Sequence, residues 1–159
     1  MKITIISVGK VKEKFFRDAI DEYAKRLSRY CTFNIVEVAD EKTPDKCSDV
    51  EEEQILLKEA ERILKVIKPE MLVFALAIQG KKFDSVSFAN KIEEATIQGN
   101  SHLAFIIGGS LGLHKSVLNV SNLKISFSDM TFPHQLMRVI LTEQIYRAFR
   151  IIHKEPYHK

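Results

Sequence analysis

The chain has 159 residues, 45% of them hydrophobic and 28% charged, with 24 Lys and Arg against 21 Asp and Glu. That length suits a single domain, 1–159, around one core. The composition excludes a disordered or collagen-like chain, and no apolar run approaches the roughly 20 residues needed to span a bilayer.

Residues 2–8, "KITIISV", read as a buried strand ended by Gly9. The opening "MKITIISVGK" resembles a weak secretion signal, but its apolar stretch is short, no small-residue cleavage site follows, and "KVKEK" comes next. Phe16, Ile20, Tyr23, Leu27 and Tyr30 then recur at spacings of four and three, the stripe of an amphipathic helix. "TFNIVEV" at 32–38 alternates and is rich in β-branched residues, so it reads as a second strand. A polar connection leads to Ser48 and Glu51, spaced as a capping box for a helix that runs to about Ile67 and is closed by Pro69. "MLVFALAI" at 71–78 is continuously apolar, as a strand covered on both faces would be, and "QGKK" is expected to turn the chain.

Asp84 or Ser85 is placed to cap a helix with Phe88, Ile92 and Ala95 inward and Gly99 as its stop. "HLAFII" at 102–107 and "LKISF" at 123–127 read as strands, with a short helix between them. A long helix, about Pro133 to Ile152, follows, with the proline suited to its first turn. Alternation of this kind predicts an α/β domain: a mostly parallel, five- or six-stranded sheet with helices on both faces. Ligands of such sheets bind beyond the carboxyl ends of strands, here after Leu76, at Gly108 and after Phe127.

Net charge is +3, too little to establish a nucleic-acid partner. Its distribution is uneven. Residues 131–159 carry Arg138, Arg147, Arg150, Lys154 and Lys159 against Glu143 and Glu155, while acid concentrates in "DVEEE" at 49–53. A basic end can draw an anionic partner, although a solvated helix face explains it as well. Cys31 and Cys47 are the only cysteines, with no metal-ligand spacing, and are expected to be reduced thiols.

Three stretches carry the functional signal. "FIIGGSLGL" at 105–113 breaks an apolar strand with glycines, yet matches neither the phosphate loop, since Lys115 comes three residues past Gly112, nor the dinucleotide fingerprint. A tight turn is its ordinary explanation. "SFSDMTFPHQLMR" at 126–138 offers small and hydroxyl residues, suited to a ligand recognised through main chain; a capped connection is the alternative. The end, "HKEPYHK", groups aromatic, imidazole and ammonium side chains where a frayed terminus would be expected.

Taken together with "MKITIISVGK", the stretches "FIIGGSLGL", "ISFSDMTFPHQLMRVILTEQIYRAFRI" and "PYHK" resemble the RlmH family of small SPOUT-class RNA methyltransferases over the whole chain. Leu111 departs from relatives with a polar residue there. The resemblance implies a C-terminal trefoil knot, a homodimer, a cytoplasmic location and S-adenosylmethionine as methyl donor. It also implies methylation of ring N3 of pseudouridine 1915 in 23S ribosomal RNA on the assembled ribosome, with no metal and no membrane. Carried over by position, the donor site falls on Leu76, Gly108, Phe127, Ser128, Asp129, Met130, Thr131 and Phe132, and the terminal pair on Tyr157 and His158.

From this follow expected roles. His158 would accept the N3 proton, imidazole being the side chain that titrates near neutrality. Tyr157 would stack on or orient the base, and Arg138, or Arg147 and Lys154, would pair with phosphates. His134 decorates the first helical turn or contacts RNA. The glycines would let cofactor and knotted backbone pack closely. The 133–152 helix is apolar on more than one face, at Leu136, Ile140, Tyr146 and Phe149 and also at Met137, Leu141, Ile145 and Ile152, which is expected to require a second copy. Two rival readings are a non-enzymatic ribosome-binding protein and a nucleotide-using α/β enzyme without RNA.

Overall fold

The computed structural model describes all residues, Met1–Lys159. β1 (Lys2–Val8) is buried from its second residue onward. It pairs in parallel with β2 (Thr32–Val38) on one side and β4 (His102–Ile107) on the other. β3 (Leu72–Lys82) pairs with β4 and then with β5 (Leu123–Ser126), so the sheet is all parallel in the order β2-β1-β4-β3-β5.

Because successive strand residues point to opposite faces, the continuously apolar strands feed two cores. Ile3, Ile5, Phe74, Leu103, Phe105 and Ile107 enter the larger one. It lies beneath α1 (Lys14–Leu27), α3 (Ser85–Ile97) and α5 (His134–Ile152), with α5 packed against both others. Ile6, Val8, Val73, Ala104 and Ile106 enter the smaller one, covered by α2 (Asp49–Val66) and α4 (Lys115–Val120). The capping box forms: the Ser48 hydroxyl accepts from the Glu51 amide, and the Glu51 carboxylate accepts from the Ser48 amide at 2.8 Å. Asp84 caps α3, accepting from the Ser87 amide at 2.7 Å.

Three expectations need correction. "QGKK" does not turn the chain; β3 runs on to Lys82. Its register against β5 shifts between Leu76 and Lys81, so the intervening residues bulge. Gly80 makes this possible, since a Cβ there would lie 2.7 Å from the backbone of Ile125. β5 ends at Ser126, one residue early. Pro133 is the N-cap of α5, with φ −53° and ψ 134°, rather than a first-turn residue. The apolar surface of α5 is covered in part by its own chain. Set between α1 and α3, the helix buries Leu141, Ile145, Tyr146, Ala148 and Phe149 within its own chain, while Leu136, Met137, Ile140 and Ile152 are half-buried.

Candidate functional site

The glycines at the end of β4 build a turn on themselves. The Gly112 amide donates to the Gly109 carbonyl at 3.1 Å, and Gly112 sits at φ +86°, where a side chain would be strained. Gly108 is pressed against that turn. A Cβ on it would lie 2.6 Å from the Gly112 carbonyl carbon and 3.1 Å from Leu113 Cγ. The nearest protein neighbour of a side chain at Gly108 is thus this chain's own backbone, the close backbone packing expected of these glycines.

The turn forms one wall of a cleft at the carboxyl ends of β3, β4 and β5. Leu76, Gly108, Phe127, Ser128, Met130, Thr131 and Phe132 all line it, so three distant stretches of sequence converge as expected. Ala77, Ile78, Gly109, Gly112, His134 and Met137 also line it, over a floor of Ile107, Ile125 and Ser126. The loop after β5 is braced internally: the Ser126 hydroxyl donates to the Ser128 carbonyl at 3.2 Å, and the Met130 amide donates to the Ser128 hydroxyl at 3.0 Å. No lysine or arginine lines the cleft. His134 is its only titratable side chain, and burial, followed by the Arg138 charge, lowers its pKa.

The C-terminal tail is tied down rather than frayed. The Glu155 carboxylate accepts from the Tyr30 hydroxyl, from Arg150 and from Arg29 at 3.1 Å. Arg150 also donates to the Pro156 carbonyl at 2.8 Å. Beyond this clamp, Tyr157 meets Tyr146 edge-on at 5.0 Å, lies under the Arg147 guanidinium at 4.6 Å and donates its hydroxyl to Glu143 at 3.0 Å. Burial, then the Glu143 hydrogen bond, raises the Tyr157 pKa, so the phenol remains a donor. Exposed His158 brings Nδ1 to 3.5 Å from Arg147. It lines a second cleft with Phe83, Asp84 and Gln144, on the other side of Ile125, Ser126 and Phe127, which line both.

A family model described as "Predicted SPOUT methyltransferase" matches residues 1–158. Ribosomal RNA large subunit methyltransferase H of Clostridium botulinum is 60% identical over 159 residues, the full length of both chains. The protein of that name from Clostridium tetani is 59% identical over the same span. The chain belongs to the RlmH family of SPOUT methyltransferases. A chain from Methanococcus maripaludis is 63% identical over its whole length. The solved structure of a probable methylase family protein from Haemophilus influenzae Rd KW20 shares the fold at a TM-score of 0.52 and 14% identity, covering 99% of this chain and 70% of that one.

Within this RlmH-family chain, four expected site residues lie apart from the cleft at the strand ends. Asp129 does not line it; its exposed carboxylate pairs with Lys82 at 2.5 Å. Tyr157 and His158 lie beyond the β5 wall. Arg138 is fully buried, donating to the carbonyls of Val8 and Gly9 at 2.8 Å each and reaching Glu37 at 3.4 Å. Without solvent contact it is not a phosphate ligand; it fixes the end of β1 against α5. Glu143 engages Arg147 and Tyr157. The sequence reading missed Ala77, Ile78 and Met137 as lining residues. Recognising that β3 continues as a bulge past Leu76 would have found the first two. Met137 follows from the helical spacing of three after His134.

Proposed function

We propose that this chain methylates ring N3 of pseudouridine 1915 in 23S ribosomal RNA, on the assembled ribosome in the cytoplasm, with S-adenosylmethionine as donor. The observation that carries the reading is its identity, over the whole length, with large-subunit ribosomal RNA methyltransferases. The cleft supports the choice of donor. Its apolar walls and looped main chain suit an adenosyl group, and the lack of lysine and arginine argues against a nucleotide phosphate. Leu76, Gly108 and the 127–132 loop would hold it. Bound there, S-adenosylmethionine supplies a methyl group activated by a sulfonium, which needs no metal.

The chain's own residues then supply orientation and a proton acceptor. Tyr157, held by Glu143, Tyr146 and Arg147, presents a fixed aromatic edge for the base. His158 takes the proton from ring N3, leaving the nitrogen lone pair to form the new N–C bond as the methyl–sulfur bond breaks. Fixing these partners accounts for most of the acceleration. Since His158 lies outside its own chain's donor cleft, the reading includes a homodimer in which one chain's tail serves the other's cleft, and the family's trefoil knot around the loops that form it.

The test is calorimetry with S-adenosylmethionine together with transfer of a radiolabelled methyl group to unmodified ribosomes. Saturable donor binding and one methyl per ribosome are expected. Ribosome binding without transfer points to a non-enzymatic ribosome protein, and nucleotide binding without transfer to a small-molecule enzyme. Either result rejects the proposal.

A further inference from the structure

A groove between α1 and α5 has a charge unlike the rest of the molecule. Lys25, Arg26, Arg29 and Arg150 line it with Glu22, Tyr30 and Tyr146, and the Glu155 carboxylate reaches in to pair with Arg29 and Arg150. The whole chain carries 24 cations against 21 acids. Four cations against two carboxylates leave this groove with most of the chain's net positive charge, and Lys25 has no carboxylate partner.

The arginines are also held in place. Arg26 lies 5.4 Å over the Tyr23 ring and 5.8 Å over Tyr146; Arg29 lies 5.6 Å over Tyr30, and Arg150 6.0 Å over Tyr146. A guanidinium stacked on an aromatic face loses little further freedom when its N–H edge binds, and a planar fork matches a phosphate. Lys25 is exposed and the Arg29 side chain is 70% exposed, so both can reach a bound chain. The groove adjoins the tail: Arg29 and Arg150 hold Glu155, and Tyr146 carries Tyr157.

We propose that this tyrosine-backed basic groove between α1 and α5 binds the phosphate backbone of the substrate RNA, delivering the RNA beside the tail. The inference rests on the RNA substrate proposed above. Removing a phosphate contact should weaken binding at all sequences and flatten its salt dependence by about one counterion's worth per contact, or about 0.7 in slope for single-stranded RNA.

The test measures ribosome binding by filter retention over a series of KCl concentrations for wild type, Lys25→Ala, Arg29→Ala and the double variant, with Lys91→Ala on α3 as control. Each groove variant should lose roughly threefold to tenfold in affinity at moderate salt, and the double variant's log–log slope should fall by about 1.4. S-adenosylmethionine affinity should be unchanged in all, which excludes a general folding defect. Groove variants with the wild-type slope and affinity overturn the groove while leaving the proposed function standing. A wild-type protein that does not bind ribosomes overturns both.

Discussion

Gly108→Ala tests whether the donor cleft depends on the glycine turn packing on itself. The new Cβ would lie 2.6 Å from the Gly112 carbonyl carbon and 3.1 Å from Leu113 Cγ. Carbon atoms in comfortable contact stand about 3.5–4.0 Å apart, so the Gly109–Gly112 turn must retreat by about 1 Å. The obstacle is backbone closed by its own hydrogen bond, so relief is costly, and overpacking of this kind destabilises by about 1–3 kcal/mol. For a chain this long, 1 kcal/mol shifts Tm by roughly 2–4 °C, which puts the expected loss at about 6 °C. Gly108 and Gly112 both line the cleft, so S-adenosylmethionine affinity should fall at least about tenfold, equivalent to about 1.4 kcal/mol. Gly112→Ala is the informative companion. Nothing lies within 4 Å of its added Cβ, but φ is +86°, so it should lose stability by about 1–2 kcal/mol with a smaller effect on the donor. Scanning calorimetry and titration calorimetry read both quantities. A Gly108→Ala protein with wild-type Tm and wild-type donor affinity would refute the reasoning.

Other consequences are equally open to measurement. Arg138→Met removes two hydrogen bonds to the Val8 and Gly9 carbonyls and should cost about 3 kcal/mol in urea unfolding, since buried acceptors left unpaired cost about 1–3 kcal/mol each; an unchanged midpoint would deny its structural role. The Glu155 carboxyl lies below its ordinary range, held there by Tyr30 first and also by Arg150 and Arg29. Its contribution is therefore complete above the unfolded value and is lost as pH falls through the lower folded value. Protection of the Lys154 and Glu155 amides, measured as exchange relative to an unstructured chain at the same pH, should be high at neutral pH and be lost as pH falls through the lowered Glu155 value, and Glu155→Gln should lack that protection at pH 7. Deleting Tyr157–Lys159 should preserve donor binding but reduce methyl transfer by at least about 100-fold, the lower end for a lost general base; His158→Ala should lose mainly turnover. Because Tyr157 packs on Tyr146, the deletion should also lower Tm modestly.

Local rules explain what was legible from sequence. Continuously apolar runs such as 102–107 could only be strands covered on both sides, and Ser48 with Glu51 marked the start of α2 by its own hydrogen bonds. The three strand ends of the cleft were visible because a parallel sheet gathers its carboxyl ends on one edge. What sequence concealed was non-local. Gly80 looks like a turn residue until β5 is seen lying against it, and Arg138 looks like an RNA ligand until the end of β1 is seen receiving its hydrogen bonds. Likewise, nothing in the spacing of "HKEPYHK" announces that Glu155 meets Tyr30, 125 positions earlier.

The central claim is most directly tested at the nucleoside level. Assembled ribosomes lacking the modification would be incubated with the protein and S-adenosylmethionine carrying an isotopically labelled methyl group, and the 23S RNA would be digested and resolved by mass spectrometry. The account predicts one labelled nucleoside, a pseudouridine methylated at N3, from position 1915. Label on another base, label only on free RNA, or no label despite saturated donor binding would contradict it.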